Sequence, residues 1–215
     1  VIGVFNPTAA DIHEPVDITV PLPADWPERF QEFFGFEEKF AFTVHGPDGA
    51  EIPWQLNAQR RDRMEFVRPR YRVPFPDPRH EADITLPLQV PAFGYTTLTV
   101  KPSTRPTRHL GRMTVSHNAA ENETIRLEIA PNGTLTLTDK RSGVSFSGLL
   151  TFEERADIGD GWYHGLAVND RIHYSTAANA DVSIIADGPE KTTFRVGVTM
   201  NVPEAFDFGN MRRSV

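Results

Sequence analysis

The chain has 215 residues and a formal net charge of -7 at neutral pH, with 39% apolar residues. This length suits one large or two small domains, and the apolar content can form a core, which excludes a globally disordered chain. The acidic balance argues against a nucleic-acid partner, because phosphate binding needs a basic face.

The cysteine count and the hydropathy indicate in which cellular compartment the protein is expected. There is no cysteine, which excludes disulfides and thiolate metal sites and is typical of the reducing cytoplasm. No run is long and apolar enough to span a bilayer, and no signal peptide opens the chain. We therefore expect a cytoplasmic protein without a membrane partner. Because the sequence starts Val1-Ile2-Gly3 rather than with Met, we also expect that residues precede it.

The first hundred residues predict many short strands separated by turns. Eighteen prolines and fifteen glycines punctuate the chain, as an all-β fold requires. Apolar and polar residues alternate over 16–22, 40–44, 52–54, 71–75, 84–90 and 97–100, and the turn Gly46–Gly49 makes 39–55 a hairpin. The Phe-rich stretch 26–36 is predicted to be a short helical turn or an irregular loop. About seven strands over 1–101 predict an immunoglobulin-like β-sandwich.

Two residue types within this region carry positional information. Prolines 53, 74 and 87 predict edge positions or bulges, since proline cannot donate to a strand ladder. The arginines Arg68, Arg70 and Arg72 alternate, so in a strand they would share one face. That face is either solvated or forms an interface with carboxylates of another domain.

Residues 102–112 predict a linker, because they are polar, contain prolines and lack periodicity. A second unit follows over 113–215. Hairpins are predicted over 125–137, with a turn at 131–133, and over 182–200, while 139–143 forms another turn. Strands of this length predict the first part of a larger β-sandwich, which we expect to be truncated at Val215.

Seven phrases of the sequence, in the same order along the chain, resemble the α-mannosidases of glycoside hydrolase family 38. They are Val4-Phe-Asn-Pro7, Gly49-Ala-Glu-Ile-Pro-Trp-Gln55, Val90-Pro-Ala-Phe-Gly-Tyr95, Glu121-Asn-Glu-Thr-Ile-Arg126 through Leu135, Asp139-Lys-Arg-Ser-Gly143, Asp157-Ile-Gly-Asp-Gly-Trp-Tyr163 and Val202-Pro-Glu204 through Arg213-Ser214. Phe93 departs from the family, which has an aliphatic residue there more often, and so does Trp162, which separates the Gly-Asp pair from the tyrosine. The resemblance implies the middle and C-terminal β region of such an enzyme, in which 113–215 is the first part of a carbohydrate-type β-sandwich (a supersandwich).

The resemblance also implies where the chemistry lies. These enzymes are retaining hydrolases that use two carboxylates and a zinc ion in an N-terminal barrel, and a retaining pair stands about 5–5.5 Å apart. The barrel and the three-helix segment after it have no counterpart in this sequence, so we expect no catalytic residue, no metal site and no activity of this chain alone. The seven histidines (13, 45, 80, 109, 117, 164 and 173) show no metal-binding spacing. The expected partners are the remaining domains of the parent enzyme and a mannose-containing glycan or small mannoside.

The densest chemistry lies between Glu153 and Asp170. One interpretation is a polar loop in which aspartates cap turns and aromatic side chains pack inward. The other is a loop that lines the sugar site of the parent enzyme, since aromatic faces stack on sugars and carboxylates accept hydroxyl groups. The resemblance assigns a substrate contact to Tyr163, and Asp157, Asp160 and Trp162 are further candidates for the rim of the site.

Two other functions stay open from the sequence. A free-standing carbohydrate-binding or adhesion module would also be a β-sandwich with exposed aromatic residues near Trp162. An independent hydrolase that uses Asp157 and Asp160 is the less favoured reading, because two carboxylates three residues apart in a loop have no fixed geometry. Trp54 and Trp26 could bind sugar, but tryptophans in alternating strands belong more often to the core.

Overall fold

A computed structural model describes residues 1–31 and 35–213, which form strands and turns almost throughout. Within these ranges there is no α-helix and one 3₁₀ turn, Ser175–Ala177. The predicted all-β fold is therefore confirmed. No helix in the described part of the chain is long and apolar enough to cross a membrane. The chain divides into two compact units: unit 1 comprises Val1–Arg112 with Gly188–Lys191, and unit 2 comprises Met113–Asp187 with Thr192–Val215.

The described residues of unit 1 form nine strands. They are β1 (Ile2–Phe5), β2 (Ile12–Leu22), β3 (Glu28–Arg29), β4 (Lys39–Phe40), β5 (Phe42–His45), β6 (Glu51–Ile52), β7 (Gln55–Val67), β8 (Phe75–Val90) and β9 (Tyr95–Pro102). One sheet has the order β1-β9-β5-β6, a second has the order β2-β8-β7, and β3 pairs with β4. All pairs are antiparallel, as expected of a sandwich built from hairpins and crossovers.

The core of unit 1 draws on both of its larger sheets. Phe42 on β5 is fully buried and its ring stacks on that of Trp54, with centroids 4.3 Å apart. Alternate side chains of β8, including Ile84 and Leu86, are also fully buried. Burial of Trp54 confirms its predicted place in the core, and Trp26 packs partly buried against the same cluster.

Strand β8 shows how the sheet tolerates proline. It pairs with β2 from His80 to Val90 and with β7 from Phe75 to Thr85. Pro87 therefore lies where β8 has a neighbour on one side, and the same holds for Pro76 and Pro78 at the other end. The prediction that Pro87 marks an edge-like position is confirmed, because β8 has a partner strand on one side only at this residue.

The predicted strand over 71–75 is wrong. Residues 68–74 form the turn that joins β7 to β8, and Tyr71 and Val73 are 87% and 83% exposed. Arg68, Arg70 and Arg72 consequently lie in a loop rather than on one face of a strand. Strand β7 was not predicted, because it is mostly polar and has no alternating apolar pattern.

Two buried amides of unit 1 lie in phrases that resemble the mannosidase family. Asn6 donates hydrogen bonds to the carbonyl groups of Ala10 at 2.8 Å and Pro91 at 3.0 Å. Gln55 accepts from the backbone N–H of Lys191 at 2.9 Å and donates to its carbonyl oxygen at 2.9 Å. Each side chain hydrogen-bonds a backbone group that is distant in sequence, Pro91 for Asn6 and Lys191 for Gln55, so these motif positions serve the fold.

Eleven strands lie in unit 2 up to residue 213. They are β10 (Thr114–Ser116), β11 (Ala119–Glu121), β12 (Ile125–Ile129), β13 (Leu135–Asp139), β14 (Ser145–Leu149), β15 (Glu153–Glu154), β16 (His173–Tyr174), β17 (Asp181–Ala186), β18 (Thr193–Gly197), β19 (Phe206–Asp207) and β20 (Arg212–Arg213). Strands β10 to β14 form one antiparallel sheet in sequence order. Three further pairs are β15–β16, β17–β18 and β19–β20.

Both hairpins predicted in this unit are present. Strand β12 pairs with β13 around a turn in which Gly133 has φ = 84°, and β17 pairs with β18. Strand β18 ends at Gly197, so Val198 and Met200 lie beyond the ladder, although their alternation predicted a longer strand. The Phe-rich stretch 26–36 was predicted to be a short helical turn or an irregular loop. It contains the short strand β3, and its residues 32–34 lie outside the described residues.

Candidate functional site

The predicted rim residues belong to a small hairpin of unit 2, residues 157–166, which we call the aromatic hairpin. It lies between β15 and β16 and is closed by a single bridge between Asp157 and Leu166. The amide of Ile158 donates to the carbonyl oxygen of Gly165 at 3.0 Å, and Asp160 donates in the same way to Tyr163 at 3.1 Å. The chain therefore reverses direction at residues 160–163.

The carboxylate of Asp157 holds the base of the aromatic hairpin. Its Oδ1 accepts hydrogen bonds from the backbone N–H groups of Gly165 at 2.8 Å and Gly159 at 2.9 Å. Its Oδ2 lies 3.1 Å from Nδ1 of His164. The Gly165 and Gly159 amides, with His164, lower the pKa of Asp157 to about 2, because each favours the charged carboxylate.

Asp160 performs the same function at the tip. Its Oδ1 accepts from the backbone N–H groups of Trp162 at 2.8 Å and Tyr163 at 2.9 Å. Aspartate is typical of such turns, since its short side chain reaches amides two and three residues ahead. Both aspartates thus cap turns, as one of the two sequence interpretations held.

Two glycines make this tight reversal sterically possible. A Cβ atom at Gly159 would lie 1.8 Å from the carbonyl oxygen of Tyr163, and one at Gly165 would lie 2.5 Å from the amide nitrogen of Gly159. By contrast, a Cβ at Gly161 would meet nothing within 4 Å. The Gly159 and Gly165 positions therefore exclude any side chain while Gly161 does not.

The aromatic side chains at the tip point away from the unit. Trp162 is 89% exposed and Tyr163 is 77% exposed. The polar-loop interpretation was therefore right about the capping aspartates and wrong about aromatic side chains that pack inward. The structure brings all four predicted rim residues, Asp157, Asp160, Trp162 and Tyr163, into one hairpin whose backbone is fixed and whose aromatic faces are open.

An ion-pair cluster beside the hairpin was not predicted from the sequence. Arg213, whose side chain is 9% exposed, pairs with Glu154 on β15, and its Nε lies 2.8 Å from Oδ1 of Asp170. The other oxygen of Asp170 accepts from the amide of Ala156 at 2.7 Å. Arg213 also lowers the pKa of Glu154 through a hydrogen bond. Arg213 thus connects the two chain segments that flank the hairpin. The one sequence feature that pointed to Arg213 was its place in the last of the seven family phrases.

The groups in this region differ in what chemistry they can supply. A carboxylate with a pKa near 2 is ionised at neutral pH and holds no proton to donate as a general acid. Among residues 1–31 and 35–213, no three His, Cys, Asp or Glu side chains cluster as metal ligands do. These residues therefore do not fit a zinc site. Exposed indole and phenol rings instead offer apolar faces and hydrogen-bonding edges.

Two solved structures resemble this chain in fold. The profiles of known protein families give no match. A crystal structure of an α-mannosidase from Enterococcus faecalis V583 matches 96% of the chain with a TM-score of 0.72 at 22% identity. A protein in glycosyl hydrolase family 38, also from Enterococcus faecalis, matches 90% with a TM-score of 0.67 at 21% identity. The chain therefore has the fold found in part of these proteins.

A curated sequence adds an independent match. A protein named putative mannosylglycerate hydrolase, from Halalkalibacterium halodurans, is 33% identical over 93 residues, which are 43% of this chain. The chain is therefore similar in fold to these two proteins and, over part of its sequence, to a protein named as a hydrolase of mannosylglycerate. This relationship covers part of those proteins: the match spans 10% of the curated relative, and the chain spans 24% and 23% of the two solved chains.

Proposed function

We propose that this chain is a non-catalytic β-sandwich portion of an α-mannosidase-type glycoside hydrolase, where it acts as a scaffold and contributes to the rim of the sugar site. The observation that carries the proposal is the structural match over 96% of this chain and 24% of an α-mannosidase. On this proposal the catalytic carboxylates and the zinc belong to other parts of the enzyme, which cleaves a mannose-containing glycan or a small mannoside.

The aromatic hairpin is the proposed rim element. Its backbone is held by two capping carboxylates, and both of its tip rings are exposed. A rigid backbone presents the rings at little entropic cost on binding, because fewer degrees of freedom are lost. Tyr163 would stack on a sugar face and hydrogen-bond a hydroxyl group, and Trp162 would widen the apolar platform.

The apolar surface of unit 2 supports the proposal that further domains of the parent enzyme are its partners. All five residues of β14 are exposed, including Phe146 at 56% and Leu149 at 41%. Phe152 nearby is 50% exposed. Exposed apolar side chains in such number are typical of a surface that meets another domain.

The rim proposal is tested by kinetics of the complete protein on an aryl α-mannoside and on mannosylglycerate. We expect Tyr163→Phe and Trp162→Ala to raise KM or to lower kcat/KM by about 10-fold, the effect of losing one or two contacts worth about 1.4 kcal/mol. Tyr95→Phe and Phe36→Ala are matched controls, since Tyr95 is 65% exposed and Phe36 is fully exposed in unit 1. Unchanged kinetics in both hairpin variants would refute the rim role.

A free-standing carbohydrate-binding module is a second candidate, favoured by the exposure of Trp162 and Tyr163. It is distinguished by titrating the isolated chain with mannose and mannobiose under NMR observation. Shifts confined to the Trp162 indole and its neighbours, with a Kd in the millimolar range or tighter, would favour the module. Absence of binding by the chain, together with altered kinetics of the complete protein, would favour the rim.

A further inference from the structure

A two-stranded arm projects from the sheet β2-β8-β7. Strand β2 stops pairing at His80, and opposite this point β7 has a bulge between Arg60 and Arg63, with Asp62 at φ = 52°. Beyond the bulge, residues 63–67 pair with 75–79 alone. We call residues 63–79 the arm. An isolated two-stranded ribbon is marginally stable in water, so an arm of this kind requires additional stabilising contacts.

The two faces of the arm differ in character. Residues that oppose each other in an antiparallel pair share a face, and Met64 opposes Pro78 while Phe66 opposes Pro76. Met64 is 59% exposed and Phe66 is 63% exposed. On the other face, Arg79 pairs with Glu65 and lies 3.6 Å from Asp77. The charged face is therefore internally satisfied, whereas the apolar face is open to solvent.

The apolar face continues the core face of the sheet. Even-numbered side chains of β8 from His80 to Val90 are buried, and the same alternation carries on to Pro78 and Pro76. The arm thus extends a core-type surface beyond the strand that would have covered it. At its tip, Arg68, Arg70 and Arg72 are exposed, and within the described residues none of them pairs with a carboxylate. A partner surface must offer apolar contacts and negative charge.

Unit 1 carries such a surface at its opposite end. A groove lies beside the Gly46–Gly49 turn and the start of β2, lined by exposed Pro15, Pro47 and Pro87 and by the half-buried Ile52. The exposed carboxylates Glu14 and Asp48 also line it. In the described part of the chain, neither carboxylate forms an ion pair. The groove therefore complements the arm both in apolar character and in charge.

The arm and the groove cannot meet within one molecule. Strand β8 runs without interruption from the arm to the groove, which includes Pro87, Leu88 and Gln89. The eleven residue-to-residue steps from Asp77 to Leu88 span roughly 36 Å at 3.3 Å per step. The strand is paired along this whole length, on one side at each end and on both sides over 80–85, so it does not fold back on itself and an arm-to-groove contact joins two molecules.

We propose that the arm of one copy of this protein docks in the groove of a second copy. Because the two surfaces lie at opposite ends of unit 1, two copies arranged side by side and antiparallel form both contacts at once. Such a closed two-fold dimer has two identical contacts and leaves no unpaired arm. Met64 and Phe66 then lie against the groove prolines, and the tip arginines meet Glu14 and Asp48.

Charge reversal with rescue tests this dimer in solution. One variant combines Arg68→Glu, Arg70→Glu and Arg72→Glu, and the other combines Glu14→Lys and Asp48→Lys. We expect the unaltered protein to sediment as a dimer at about 50 μM and each variant to dissociate at least tenfold more readily. An equal mixture of the two variants regains the dimer, because glutamate arms then meet lysine grooves. The control is reversal of the exposed arginines 105, 112 and 141, which changes the charge equally and leaves the dimer intact.

A crosslinking experiment identifies the contact directly. Since the chain has no cysteine, Arg70→Cys and Asp48→Cys variants carry single thiols. A short bismaleimide is expected to join the mixed variants far more efficiently than either alone. A monomeric protein would overturn the proposal, as would a dimer indifferent to both charge reversals. Protection of the arm amides from hydrogen exchange in a monomer would assign the arm to another segment or domain and also overturn it.

Discussion

Unit 1 and unit 2 are both built from antiparallel strands, yet they bury apolar side chains to different degrees. In unit 1, two sheets enclose a cluster that includes Phe40, Phe42 and Leu86, each at most 1% exposed. In the described part of unit 2, the buried apolar side chains are Ala119, Ala120, Ile129 and Ala156. Unit 1 is therefore stabilised mainly by its apolar core, while unit 2 relies more on its turns and ion pairs.

Removal of a core ring in unit 1 should have the largest effect. Phe42→Ala deletes a fully buried side chain that stacks on Trp54, and we expect a loss of about 3–5 kcal/mol in the free energy of unfolding. The matched change in unit 2, Phe146→Ala, removes a ring that is 56% exposed and should cost less than about 1 kcal/mol. Chemical denaturation measures both. Equal losses would remove the distinction between the units.

Unit 2 should respond more to the loss of an ion pair. Arg213→Met removes the partner of Glu154 and Asp170, and we expect a loss of about 2 kcal/mol, in the range for hydrogen bonds to charged groups. Arg141→Met is the control, because that side chain is exposed and forms no ion pair within the described residues. If both variants unfold at the same denaturant concentration, the cluster does not stabilise the unit.

A local effect is expected at the aromatic hairpin. Gly159→Ala would place a methyl group against the Tyr163 carbonyl oxygen, so the hairpin must open, and the Gly165 amide should exchange with solvent at least tenfold faster. Gly161→Ala meets open space and should leave that exchange rate unchanged. Hydrogen exchange followed by NMR compares the two. Similar rates would show that the hairpin is not the tightly fixed element described above.

The smallest effect is a dependence on pH. The pKa of Asp157 falls from an ordinary value of about 3.9 in an unfolded chain to about 2 in the hairpin. Its contribution to hairpin stability is therefore complete above the unfolded value and is lost as the pH falls through about 2. A carboxyl-carbon NMR titration should give a midpoint near 2, and Asp157→Asn should abolish the pH dependence of exchange at Gly165. A midpoint near 4 would contradict the capping geometry.

The sequence predicted strands where one face of a strand is buried. The alternation at 84–90 and 125–129 located β8 and β12, because core packing imposes a period of two. Strand β7 escaped prediction, since its arm half has no opposing sheet and the rest carries polar residues in ion pairs such as Arg60–Asp83. The alternation of Tyr71 and Val73 wrongly predicted a strand, because these residues lie in an exposed turn where no core imposes the pattern.

The candidate site was predictable as a set of residues and not as a geometry. Asp157, Asp160, Trp162 and Tyr163 are close in sequence, so their proximity followed directly. That the aspartates use their oxygens on backbone amides depends on the steric allowance of Gly159 and Gly165, which the sequence did not reveal. The pairing of Arg213 with β15 was not predicted, because its place in a family phrase does not indicate which residues it contacts. The predicted domain boundaries, cytoplasmic location and rim roles stay predictions.

The most direct test of the account is to assay α-mannoside hydrolysis by the product of the complete gene and by this 215-residue chain side by side. We expect the complete product to hydrolyse the α-mannoside and the chain to show no hydrolysis, although circular dichroism shows that the chain is folded. Hydrolysis by the chain itself, lost on Asp157→Asn or Asp160→Asn, would contradict it. So would a complete gene product without α-mannosidase activity.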